Sequence, residues 1–228
     1  MLKKRIQIGL TLSFVVSMGL VAALRYAAHD PAAAPFLIGL STYATPLYIG
    51  ATVLFAVLLA RAGVNFSRMG FARRIRITDV TLAIVGIVFL QATSTMFAGW
   101  WEALFGVQRD LSRFEGVQGS VEALIPLLIF NWTFAAFGEE IAFRIVMMRA
   151  IAAIFGDGVA ATFSAVIGQA IVFGLLHLYQ GPAGAAGAAT SGLVFGLLTV
   201  AARGAIWPAA IAHGGNNTVG LMGLYLGS

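Results

Sequence analysis

Seven stretches of this sequence are apolar over lengths that can cross a bilayer, and no other feature constrains the fold as tightly. They cover about residues 6–24, 42–59, 80–100, 121–155, 160–179, 183–202 and 207–226. A helix needs about 20 predominantly apolar residues to span the hydrocarbon core. Inside that core each backbone N–H and C=O must be satisfied within the structure, so runs of this length select helices. With 60% hydrophobic and 10% charged residues, the 228-residue chain lacks the polar surface of a water-soluble domain. The expectation is an all-α, polytopic transmembrane helix bundle forming a single domain over residues 1–228. The count is about seven spans, with six or eight also open.

The formal charge of +5 taken alone suggests nucleic-acid binding, but the placement of the charges argues for a membrane. Lys3, Lys4 and Arg5 precede the first run, and Arg61, Arg68, Arg73, Arg74 and Arg76 lie between the second and third. Basic clusters flanking apolar runs follow the positive-inside pattern. The lipid bilayer is therefore an expected partner and nucleic acid is not. The first run exceeds the roughly 7–15 residues of a signal-peptide core, so it reads as a retained helix. Segment 61–76 is expected in the cytoplasm and the mixed-charge loop 102–120 on the other side. The small size and the abundance of alanine and glycine suggest a multi-pass protein of a bacterial inner membrane.

Turn signals divide the second half. Gly156-Asp157-Gly158 and Gln180-Gly181-Pro182 separate successive runs, and Trp207-Pro208 opens the last. Gly184, Ala188, Gly192 and Gly196 recur at every fourth place and put small residues on one helix face, where another backbone can approach. The sequon-like Asn216-Asn217-Thr218 falls inside an apolar run and is discounted.

Ionisable residues inside a span point to function by default. Glu139, Glu140, Arg144, His177 and His213, with Asn217, all fall after residue 120, whereas Glu122 and Arg149 read as interfacial. This divides the chain into scaffold helices over 1–119 and a catalytic core over 120–228. Glu140 precedes Arg144 by four, the favoured order for an ion pair on one helix face. Glu139 lies about a hundred degrees round an α-helix and can face a cavity instead. Phe173 and His177 share a face, as do His213 and Asn217. Counting from Asp157, Glu139 and His177 fall at nearly equal depth, so carboxylate and imidazole can meet. The same count puts His213 nearer the inner face. Glu–Arg pairs, membrane histidines and asparagines also serve as helix locks, and Phe173 reads first as packing.

Glu139-Glu140-Ile141-Ala142-Phe143-Arg144, Phe173 to His177 and His213 to Asn217 read as E-E-x-x-x-R, F-x-x-x-H and H-x-x-x-N on successive apolar segments. In that order and spacing they resemble the CPBP family, the Abi or CAAX type II prenyl-protease group of intramembrane glutamic endopeptidases. The resemblance covers about residues 120–220. Ile145 stands where family members usually carry glycine. The resemblance implies that Glu139 activates water with His177 as its partner. It implies that His213 and Asn217 stabilise the oxyanion, and that Glu140 and Arg144 support them. It also implies a membrane-associated peptide or protein substrate and a cleft open to the cytoplasm.

The chemistry is coherent on its own terms, since peptide hydrolysis needs an activated water and donors for the developing oxyanion. The chain has no cysteine, which excludes thiolate catalysis, disulfides and cysteine-bound metals. Ser164 and Ser191 lie in no catalytic motif, and His-Glu-x-x-His is absent. No cofactor is expected; a metal held by two histidines and a glutamate stays open. Two other readings stand beside the protease. One is a non-catalytic protein of the same fold acting as an immunity or partner-binding factor. The other is a transporter using these groups as an ion relay, although the first half does not repeat the polar pattern.

Overall fold

The computed structural model describes residues 2–32, 34–66, 70, 74–156 and 158–227. Arg68 and Arg73 of the basic segment and Asp157 of the turn lie outside the described residues. Among the described residues, seven long helices form the bundle: α1 (Leu2–His29), α2 (Ala44–Arg61), α3 (Ile77–Phe105), α4 (Val121–Phe155), α5 (Val159–Leu175), α6 (Gly181–Ala201) and α7 (Trp207–Leu226). Each follows one of the apolar runs, so the expected helical bundle of about seven spans is what the chain forms. Five segments are long and apolar enough to cross a membrane by themselves, namely α1, Ile38–Arg61, Ile77–Phe97, α4 and Leu178–Ala201. α5 is apolar but has 17 residues, and the 20 residues of α7 include His213, Asn216 and Asn217.

The helix ends follow from local chemistry. At the start of α3, the Arg76 N–H donates to the Asp79 carboxylate at 2.8 Å, half of a capping box, and Gly106 in the left-handed region ends the helix. Ser120 caps α4 by accepting the Ala123 N–H at 3.2 Å. Pro182 and Pro208 occupy first-turn positions of α6 and α7, where a missing N–H costs little.

Large apolar side chains such as Val53, Val88, Phe89, Ile129, Phe163 and Ile171 are exposed on the outside of the bundle, as lipid-facing residues must be. Inside, Phe14, Met18, Tyr48, Phe55, Met147 and Phe173 belong to one core cluster. A smaller cluster joins Leu90, Phe195, Leu198 and Ala212 of α3, α6 and α7. The small-residue stripe of α6 acts as expected over part of its length. A Cβ on Gly192 would meet Ala170 and Phe173 of α5 at 3.2 Å, and one on Gly196 would meet Gln169 at 2.9 Å. Gly184 instead faces Gln180 and Arg109.

Two departures from simple helical counting matter for the site. From Asn131 to Glu139, and again from Ile141 to Met147, α4 is wound as a π-helix. Its i→i+5 bonding puts more residues into each turn and is frequent at functional sites. Before α7, the connection dips into the bundle: Ala202, Ala205 and Ile206 are buried, and Ala205 pairs with Gly70 in an isolated parallel bridge. The Ile145 side chain packs on Gly70, where a Cβ would lie 2.8 Å from Ile145 Cδ1.

Candidate active site

The π-wound part of α4 buries two adjacent carboxylates. Glu139 is 5% exposed, and Glu140 and Arg144 are fully buried. Arg144 Nε lies 3.1 Å from Glu140 Oε2, a close ion pair rather than an aligned hydrogen bond. The guanidinium also donates to the carbonyl of Gly192 at 3.2 Å. Its charge lies over the rings of Phe173 and Phe195, at 5.0 and 5.2 Å from their centroids. Aromatic faces are favourable surroundings for a desolvated cation. Gln169 donates to the same Gly192 carbonyl at 2.7 Å, which ties α4, α5 and α6 together at one atom.

Glu140 has a second partner that helix spacing did not suggest. Its Oε1 accepts from His213 Nδ1 at 2.9 Å. A carboxylate can only accept, so Nδ1 carries the proton and the tautomer follows from the bond. The other ring nitrogen, Nε2, then lies 3.9 Å from Glu139 Oε2. The imidazole is stacked on Phe195 with centroids 4.7 Å apart and lies edge-on to Phe173 at 5.8 Å. These contacts put His213 at the level of the carboxylates. The mismatch in depth from straight-helix counting disappears.

Asn217, one turn after His213, donates from Nδ2 to Asn131 Oδ1 at 3.0 Å. Asn131 is buried and donates its own amide to the Gly214 carbonyl at 2.9 Å and to Thr218 Oγ1 at 3.3 Å. That pair of donations fixes which side of the Asn131 amide faces Asn217. His177 follows the end of α5 and donates from Nδ1 to the Phe173 carbonyl at 2.8 Å, which leaves Nε2 as its acceptor. No hydrogen bond or ion pair joins His177 to Glu139 among the described residues. Phe173 is 2% exposed and touches the rings of Phe143, His177 and His213.

Glu139, His177, His213, Asn217, Asn131 and Phe173 all line one cavity of about 1070 Å³. Its rim includes His29, Trp101, Glu102, Arg109 and Arg113. There His29 Nε2 meets Asp110 Oδ2 at 2.8 Å, joining the end of α1 to the 106–120 loop. Hydrogen bonds from Ser112 and then from His29 hold the Asp110 carboxyl down to about 2. Arg109 donates to Gln180 at 2.9 Å.

Three contributors escape a reading of the sequence. Arg25 of α1 lies 3.7 Å from Glu139 Oε1, and Tyr48 of α2 sits beneath that guanidinium and bonds the Gly138 carbonyl at 3.3 Å. Arg25 falls four residues before the end of α1, where an arginine looks like an interfacial anchor. Asn131 looks like ordinary helix glue. Among the described residues no group of three or more His, Asp or Glu side chains is arranged to hold a metal ion.

The fold and site define a polytopic helical membrane protein with a buried carboxylate–imidazole cluster beside a large cavity. Residues 121–219 match the family described as Rce1-like, the type II CAAX prenyl endopeptidases. All three motifs lie in the matched segment, and the resemblance to the CPBP group stands. Arg25 and Tyr48 lie outside it. Curated proteins and solved structures give no match to the chain.

Proposed function

We propose that the chain is an intramembrane endopeptidase that hydrolyses a peptide bond with water activated by Glu139 and His177. The carrying observation is that Glu139, His177, His213 and Asn217 line a single cavity. A water held between the Glu139 carboxylate and His177 Nε2 would lose its proton to Glu139 as it attacks the carbonyl carbon. The developing oxyanion would be met by His213 Nε2 and the Asn217 amide. Because Nδ1 of His213 is already spent on Glu140, donation from Nε2 requires the imidazolium. Glu139 then passes its proton to the leaving amine. Arg144 and Glu140 hold His213 in place, and Asn131 holds Asn217.

The substrate is a membrane-associated peptide or protein segment, and the enzyme resides in a cell membrane. The deciding experiment incubates purified wild type and Glu139→Gln with a peptide library and reads cleavage by mass. Cleavage by wild type and none by the variant is expected. Cleavage by neither would leave the non-catalytic, partner-binding reading in its place, and equal cleavage by both would remove Glu139 from the mechanism.

A further inference from the structure

We infer that the cavity is entered from the face of the membrane opposite the basic loops, so that the substrate is an extracytoplasmic segment. This rests on the endopeptidase reading and specifies which peptides that site can take. Two independent observations carry it.

The first is the distribution of charge. Of the fourteen lysines and arginines, all but Arg25, Arg109, Arg113 and Arg144 fall before the apolar part of α1, in 61–76, or close to the α4–α5 and α6–α7 connections. In an up-and-down bundle of seven helices these segments meet at one end. Asp30, Glu102, Asp110, Glu115 and Glu122 gather towards the other. An excess of Lys and Arg marks the cytoplasmic side.

The second is the lining of the cavity. Its floor is formed by Leu90, Glu139, Phe195 and His213, and from there it runs only towards the acidic end. It passes Ser191 and Thr190 on α6 and Thr45 on α2, and reaches the surface at Glu102, Arg109 and Arg113. None of the basic-end residues Arg61, Arg74, Arg76 or Arg203 lines it. Below the floor, the fully buried Arg144, Met147 and Ile206 close the bundle. Phe97 of α3 and Phe130 of α4 are exposed outside the bundle yet also line the cavity, so a segment lying in the outer leaflet can slide in between those helices. This inference differs from the cytoplasmic cleft that the family resemblance implies.

The absence of cysteine supplies the test. Single variants Ser191→Cys and Thr45→Cys place a thiol on the cavity wall, and Ile75→Cys places one on the exposed basic end. Cells expressing each full-length variant are treated with a charged, membrane-impermeant maleimide, intact and after permeabilisation. Total thiol is measured in SDS. Both cavity variants should label in intact cells to at least half their permeabilised level, and Ile75→Cys only after permeabilisation. Labelling of Ser191→Cys only after permeabilisation, or under neither condition, overturns the inference. The readout needs no turnover, so its failure is separate from failure of the Glu139→Gln assay, which is run in detergent and is blind to sidedness.

Discussion

Arg25 on the first helix stands 3.7 Å from the carboxylate of Glu139 on the fourth. This contact links a part of the chain outside the family match to the residue proposed to activate water. Arg25→Gln is expected to lower kcat/KM roughly tenfold, about 1.4 kcal/mol in the barrier, with little change in melting temperature. Arg25→Lys should recover most of the loss, since the contact is partly solvated and not bidentate. An Arg25→Gln enzyme with wild-type rates would make the arginine an anchor only.

Glu140 holds Arg144 on one oxygen and His213 on the other. Removing one member of such a buried set leaves a charge unpaired and costs roughly 3–5 kcal/mol. Glu140→Gln and Arg144→Gln should therefore lower the melting temperature in detergent, and Glu140→Gln should also slow cleavage by releasing His213. If both variants melt like wild type and yet lose all activity, these residues act in the chemistry and not in its support.

Asn131 orients Asn217. Asn131→Ala should resemble Asn217→Ala, each losing about 10²-fold in kcat, the scale of a lost oxyanion donor. The double variant should lose little more than either single one. Multiplicative losses would show that the two amides act independently.

Glu139→Gln, His177→Ala and His213→Ala are each expected to remove most of the rate while keeping the fold, with double variants far from additive. Treatment with a chelator should leave cleavage intact, because the proposed mechanism activates the water with a carboxylate and an imidazole alone. Loss of activity on chelation, recovered with zinc, would sink that mechanism and establish a metal centre.

Much of the fold was legible because lipid writes it into the sequence as long apolar runs. The breaks at Gly106, Gly156 and Gly158 and the prolines at 182 and 208 mark helix ends by backbone chemistry that needs no tertiary information. Residues Glu139, His177, His213 and Asn217 were legible as polar groups in costly places. Their partners were harder to see. Counting at α-helical spacing pairs Glu140 with Arg144 but cannot find His213, which arrives from 73 residues away. The π winding of 131–147 has no signature in hydrophobic pattern. Straight-helix depth also failed for His213, because burial of the 202–206 connection and its pairing with Gly70 leave no mark in the hydrophobic pattern.

The carbonyl of Gly192 is shared by Arg144 and Gln169, and a Cβ on that residue would press on Ala170 and Phe173 of the neighbouring helix at 3.2 Å. A protein engineer transplanting the motif side chains into another helical bundle would bring the visible chemistry and leave this acceptor behind. The grafted arginine would then seek other company, perturbing first the glutamate and next the imidazole. The smallest transferable unit of this site is thus a set of interlocked helices, one of which contributes a backbone carbonyl and no side chain.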